Sequence, residues 1–222
     1  MPGVQDTGFN PFISIVGGKF RQKVDEGTSG AVRREYELKN GEKGVKHELV
    51  FRSWKGIIED IRVVDGEYGE VCHVVFPDAT ISIPTASRYF LDFAKKARNI
   101  NTDREIELIP YDFEDNEGQR RTGISVLQEG KKQENFYWDA GKKTTKNDFP
   151  KVDEKEYKKL SGTRLKEFWR DYYGRTVKNF LVDEISKIKF APKSTVITEQ
   201  DLHEAGLIDE NTIAEQVEKV PF

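Results

Sequence analysis

The chain has 222 residues, enough for one medium-sized domain with appendages or for two small domains, and its 36% hydrophobic and 34% charged residues are typical of a soluble protein with a modest core. No apolar run approaches the ~20 residues of a membrane helix, and residues 1–12 lack the basic-then-apolar pattern of a signal peptide. The single cysteine, Cys72, excludes an internal disulfide. We therefore expect a cytoplasmic protein with no membrane partner.

Charge is distributed unevenly along the chain, whose net charge is −3. Residues 199–222 hold seven carboxylates and one cation, Lys219, so residues 1–198 carry a net charge of +3. Within that body, residues 131–178 hold fourteen cations and eight anions. A basic body with a separate acidic end can bind a polyanion, although the net charge taken alone argues against it.

In chain order, we expect a flexible arm at 1–11 and an early strand within 12–24. Asn40-Gly41 is a strong turn dipeptide, and it predicts a hairpin between strands at 34–38 and 45–51. The remaining predicted elements are strands at 56–64, 71–76 and 80–83, a helix at 87–97, strands at 105–111 and 121–128, and helices at 153–173 and 176–188, separated near Gly174.

The central order of elements over residues 45–128 is three strands, a helix and two strands. That order matches a five-stranded OB-fold-like barrel whose first strand is long and bends near 53–56. We therefore predict an α+β fold, mainly β, with an N-terminal β extension and C-terminal helices. The predicted domains are an arm (1–11), a barrel with its β extension (12–130), a basic and aromatic helical extension (131–197) and an acidic tail (198–222), which could also form the last helices of the fold.

The sequence lacks the patterns of catalytic sites. It has no Gly-rich phosphate loop, no nucleophile elbow and no helical HExxH motif. Cys72 and His73 are adjacent in a predicted strand and so point to opposite faces, which argues against a dyad. We expect no enzymatic activity, no cofactor and no metal site, although acidic groups such as Glu59-Asp60 and Asp112/Glu114/Asp115 leave a metal-dependent nuclease as an alternative.

Aromatic and basic residues are interleaved on the predicted strands and loops, which is typical of proteins that bind single-stranded nucleic acid. Rings stack on exposed bases for ~1–3 kcal/mol each, and cations follow the phosphates. The predicted binding residues are Arg52, Trp54, Lys55, Arg62, Arg88, Tyr111, Arg120, Arg121, Tyr137, Lys142 and Lys143. The alternative is that these rings are core. For the basic region 151–189, we favour a helical hairpin packed on the barrel over a continuation of the binding track.

The barrel order, this interleaving and an acidic end that closes with Val220-Pro221-Phe222 resemble single-stranded DNA-binding proteins of the phage type. The blocks at 84–97 and 109–130 are also similar to uncharacterised phage proteins with a predicted OB-fold. The resemblance implies sequence-nonspecific protection of single-stranded DNA during phage replication and recombination, in the host cytoplasm. It also implies that Pro221 and Phe222 contact replication and recombination proteins. RNA as a ligand, a homodimer, and a virion or assembly protein with a small β-barrel stay open.

Overall fold

The computed structural model describes residues 10–37 and 41–190. These described residues belong to one compact unit. Its fold is α+β and mainly β, which confirms the predicted class at this level. The predicted acidic tail, with Pro221 and Phe222, and most of the predicted arm lie outside the described residues.

Among the described residues, the strands form three sheets. In chain order they are β1 (Phe12–Val16), β2 (Lys19–Val24), β3 (Val32–Glu37), β4 (Lys43–Phe51), β5 (Trp54–Gly56), β6 (Asp60–Gly66), β7 (Gly69–Val75), β8 (Thr80–Pro84), β9 (Ile106–Glu114), β10 (Arg120–Gln128), β11 (Lys131–Lys132), β12 (Trp138–Asp139) and β13 (Thr144–Thr145). The large sheet has the order β3-β4-β2-β1-β8-β7-β6, and only its β1–β8 pair is parallel. The smaller sheets are β11-β10-β9-β5 and β12-β13.

A break in one long strand connects the two larger sheets. β4 pairs with β2 and β3 in the large sheet, whereas β5, which begins three residues after Phe51, pairs with β9 in the four-stranded sheet. This break lies where the sequence predicts a bend. Among residues 10–37 and 41–190 the strands pair into open sheets without closing a barrel, so the five-stranded barrel stays a prediction.

Helix α1 (Arg88–Ala97) packs its apolar face onto the sheets. The Ser87 side chain caps it by accepting a hydrogen bond from the Phe90 backbone N–H. Phe90, Phe93, Ala94 and Ala97 recur at helical spacing and are buried. The helix therefore lies against β8 and β10.

The chain beyond β10 folds onto the same core. After the short helix α2 (Glu154–Tyr157), a continuous helical stretch runs through α3 (Gly162–Asp171), a π-helical segment (Tyr172–Val177) and α4 (Lys178–Ser186). Leu181 and Ile185 of α4 are buried with Tyr137 and Phe149 in one cluster that includes the sheet residues. Residues 131–190 thus share a single core with the strands.

The predicted division of the helical region near Gly174 is wrong. Gly174 lies inside the π segment, and the helical backbone continues through it. The break comes earlier, between α2 and α3, where Gly162 adopts a positive φ of 57°. The modest preference of glycine against helix is outweighed here by the tertiary packing on both sides of Gly174.

Cys72 is fully buried in β7, and burial raises the pKa of its thiol to about 12. Within the stretches that the structure describes, no helix has both the length and the apolar character needed to cross a bilayer.

Candidate nucleic-acid interface

A groove of about 760 Å³ lies between α1, β10 and the helix formed by α3 and the π segment. We call it the basic groove, because its lining includes Arg88 and Lys95 of α1, Arg121 of β10 and Arg170 of α3. These residues come from three distant parts of the chain. Packing of α1 on β10, and of the later helical stretch on α1, brings the four cations to one site.

Most of these cations are not neutralised by the protein. In the part of the chain that the structure describes, no carboxylate lies within ion-pair distance of Arg88, Lys95 or Arg170. Arg121 does pair, with Asp115 at 2.7 Å. The Lys95 ammonium is partly buried, 5.8 Å from the ring centroids of Phe149 and Tyr173. Burial is the main reason that the pKa of Lys95 is lowered.

Two aromatic rings form one wall of the basic groove. Trp169 and Tyr173 are one helical turn apart, and their rings stack with centroids 5.9 Å apart and planes inclined by 27°. Tyr173 is 42% exposed, so part of its ring is accessible to a ligand. The groove therefore combines cations that can contact phosphates with ring surface on which a base can stack.

One carboxylate, Asp92, lines the same groove and holds α1 to the four-stranded sheet. Its Oδ2 accepts hydrogen bonds from Lys96 Nζ at 2.7 Å, the Ile124 backbone N–H at 2.9 Å and the Tyr111 hydroxyl at 3.0 Å. Burial, with the neighbouring Asp92 charge, raises the pKa of Tyr111 to about 12. The predicted binding residue Tyr111 is therefore partly buried and bound to Asp92, and it positions α1 against β9.

The two arginines at the start of β10, which the sequence places in a loop, are paired with carboxylates. Arg120 donates to both oxygens of Asp112, at 2.7 and 2.6 Å, and Arg121 donates to Asp115. The Arg120 hydrogen bond lowers the pKa of Asp112. A phosphate would have to compete with these carboxylates, so this end of β10 offers less free positive charge than its sequence suggests.

The predicted residues Arg52, Trp54, Lys55 and Arg62 do not line the basic groove. Trp54 is half-buried against Phe51, with ring centroids 5.3 Å apart, and its indole N–H is buried without a partner among the described residues. Lys55 pairs with Glu105, and Arg62 pairs with Asp60. Arg52 is exposed next to the strand break.

The prediction that Tyr137 binds nucleic acid is wrong, because the structure buries this side chain. The ring is 1% exposed, packs against Phe149 and Phe180, and directs its hydroxyl to Glu184 at 3.2 Å. A ring enclosed in the core cannot stack on a base, so Tyr137 stabilises the fold instead. Its neighbour Trp138 is 43% exposed.

Lys142 and Lys143 are exposed in the turn between β12 and β13, and Lys143 lines a second groove of about 480 Å³. We call this the aromatic groove, because Trp138, Tyr157 and Tyr172 line it together with Trp169 and Tyr173. Trp169 and Tyr173 therefore belong to both grooves.

Comparisons with protein-family models, curated proteins and solved structures give no match to this chain.

Of the four cations and two aromatic rings that line the basic groove, four residues are absent from the sequence-predicted set: Lys95, Trp169, Arg170 and Tyr173. The sequence does contain signals for them, because Trp169 and Tyr173 have the i, i+4 spacing of one helix face and lie in the stretch of greatest positive charge. Their proximity to Arg88 and Arg121 depends on long-range packing that a single sequence does not reveal.

Proposed function

We propose that this protein binds single-stranded DNA without sequence specificity, in the basic groove, and that it carries out no catalytic step. The observation that carries the proposal is the meeting of four cations and two stacked aromatic rings in one groove. Cations bind the phosphate of any nucleotide, and rings stack on the face of any base. A site of this kind gives affinity that falls with salt and varies little with sequence.

The proposal includes an OB-fold-like barrel as the scaffold. Three features support it: the strand that bends between β4 and β5, the meander β6–β7–β8, and the position of α1 between β8 and the β9–β10 hairpin. With β4, β5 and β6 counted as one long, bent first strand, the order is three strands, a helix and two strands, which is the order of that five-stranded fold. The basic groove would then lie beside the helix and the last hairpin of the barrel.

We further propose that the protein protects transiently exposed single strands during phage replication and recombination, in the host cytoplasm. The charge of residues 199–222 and the Pro221-Phe222 terminus support a role of the tail in contacting replication and recombination proteins. These residues lie outside the described part of the chain, so the support comes from sequence alone.

Fluorescence anisotropy with a labelled oligo-dT strand at several salt concentrations tests the proposal. For single strands, log K falls with log salt with a slope of about −0.7 for each phosphate contacted. We expect Arg170→Gln to reduce the magnitude of this slope by about 0.7, because Arg170 is exposed and has no carboxylate partner among the described residues.

Arg33→Gln on β3 is the matched control, because Arg33 is also an exposed arginine but lies in the outermost strand of the large sheet. It should leave both affinity and slope unchanged. Absence of binding at low salt, in the full chain and in a variant that ends at residue 198, would reject the proposal. Stable high-order assembly with no DNA binding would favour the virion or assembly alternative.

A further inference from the structure

The basic groove does not end at its aromatic wall. Trp169 and Tyr173 line the basic groove on one side and the aromatic groove on the other. A ligand that crosses these two rings passes directly from the first groove into the second. The two grooves are therefore neighbouring parts of one surface of the same compact unit.

The two grooves differ in composition. The basic groove holds four cations and two rings, whereas the aromatic groove adds Trp138, Tyr157 and Tyr172 to the shared pair. Tyr157 lies against Trp169, with ring centroids 5.3 Å apart, and Trp138 is 43% exposed. Hydrogen bonding of the Tyr172 hydroxyl to Pro150 O at 2.6 Å fixes one edge of this aromatic surface.

The charges around the aromatic groove fit an anionic ligand. Lys143 and Lys151 line it and are exposed, whereas the carboxylate that lines it, Glu154, is paired with Lys158. Continuity with the basic groove and this excess of cations favour the same polyanion in both grooves. A proline-rich peptide would suit the rings but would leave the cations of the basic groove without an anionic partner.

We infer that the aromatic groove is a second subsite for the DNA strand, in which bases stack on Trp138 and its neighbouring rings while phosphates occupy the basic groove. This inference rests on the proposed function and deepens it by assigning a different contribution to DNA binding to each groove. The basic groove sets the dependence of binding on salt, and the aromatic groove sets the dependence on strand length.

Oligo-dT strands of about 4 and about 16 nucleotides distinguish the two subsites, because these lengths span the usual site sizes of OB folds. Trp138→Ala in the full chain should lower affinity for the long strand by between about 5-fold and about 150-fold, since that is the effect of removing one stacking ring. The same variant should leave both the affinity and the salt slope for the short strand unchanged.

Tyr68→Ala is the matched control, because Tyr68 is 94% exposed and lies in the β6–β7 turn. It should bind both strands as the unmodified protein does. Because Trp138 belongs to the β12–β13 pair, its loss could disturb local folding, so ultraviolet crosslinking of the unmodified protein to both strands gives an independent measurement. We expect crosslinks at Trp138 or Tyr157 with the long strand only.

The outcomes separate the inference from the proposed function. If the unmodified protein binds both strands, but Trp138→Ala has no effect and no crosslink reaches Trp138 or Tyr157, the second subsite is rejected while the proposed function stands. If the unmodified protein binds neither strand, both are rejected. If Trp138→Ala weakens the binding of both strands equally, crosslinking of the unmodified protein decides. Crosslinks outside the aromatic groove would reject the subsite, and crosslinks at Trp138 would support it.

Discussion

Glu48 is a buried carboxylate held by two arginines of neighbouring strands. It is 3% exposed on β4, and it accepts hydrogen bonds from Arg34 at 2.6 and 2.8 Å and from Arg21 at 3.0 Å. The Arg34 hydrogen bond is the main reason that the pKa of Glu48 lies below its ordinary value. The three side chains link β2, β3 and β4, and so they hold the outermost strands of the large sheet together.

We expect Glu48→Gln to lower the free energy of unfolding at neutral pH by about 2 kcal/mol, because the change removes the negative charge that pairs with the Arg34 and Arg21 guanidinium groups. A carboxyl with a lowered folded-state pKa stabilises the protein above its unfolded pKa of about 4.3, and this contribution is lost as pH falls further. The difference between variant and unmodified protein should therefore shrink in acid.

Urea unfolding at neutral pH and below about pH 4 measures both effects. Glu35→Gln is the control, because Glu35 pairs with Arg33 but its side chain is 71% exposed, and it should change stability little. If Glu48→Gln lowers the free energy of unfolding by the same amount at both pH values, the role assigned to the Glu48 charge is contradicted.

At the scale of elements, the π segment sets which residues face the groove. It follows α3 without a break and widens the helix over Tyr172–Val177. Trp169 and Tyr173 face the grooves, whereas Val177, Leu181 and Ile185 are buried in the core. The wider turn thus allows one helical stretch to present rings on one side and anchor itself on another.

The contact between α1 and β10 depends on a glycine. A Cβ atom on Gly123 would collide with the Asp92 carboxylate and the Tyr111 hydroxyl. We expect Gly123→Ala to lower the free energy of unfolding by about 1–3 kcal/mol, because this interior cannot expand without breaking the hydrogen bonds to Asp92. Chemical unfolding followed by circular dichroism measures the change.

Gly174→Ala is the comparison, since a Cβ there meets open space within a helical segment. It should leave stability unchanged or raise it by up to about 1 kcal/mol. Equal destabilisation by the two substitutions would show that the loss of glycine itself, and not the collision at Asp92, determines the result.

At the scale of the whole molecule, residues 1–198 and residues 199–222 carry net charges of opposite sign. Residues 199–222 carry −6 and the remainder +3, so removal of the tail reverses the sign of the net charge. We expect a variant that ends at residue 198 to bind oligo-dT more tightly at low salt, with the difference vanishing at high salt as charges are screened. Anisotropy titrations at both salt concentrations measure this.

Removal of Pro221 and Phe222 alone is the matched control, because it leaves all of the charged side chains in place. It should leave DNA affinity unchanged while weakening the binding of a protein partner. Unfolding of the variant that ends at residue 198 would instead favour the alternative in which residues 198–222 form the last helices of the fold.

Local signals in the sequence predicted the elements well. The helical spacing of apolar residues within 87–97 predicted α1, and the predicted strands at 105–111 and 121–128 correspond to β9 and β10. The groove was harder to predict, because Arg88, Arg121 and Arg170 meet only through tertiary packing. Adjacent aromatics were equally ambiguous, since nothing local distinguishes the buried Tyr137 from the exposed Trp138.

The burial of Cys72 gives the protein a practical property. Because this lone thiol is fully buried with a pKa of about 12, it will not form the thiolate that maleimides and disulfide reagents require. A cysteine introduced at an exposed position such as Lys142 would then be a unique attachment point for a fluorophore or spin label beside the aromatic groove. The folded chain is thus ready for single-site labelling without removal of its own cysteine.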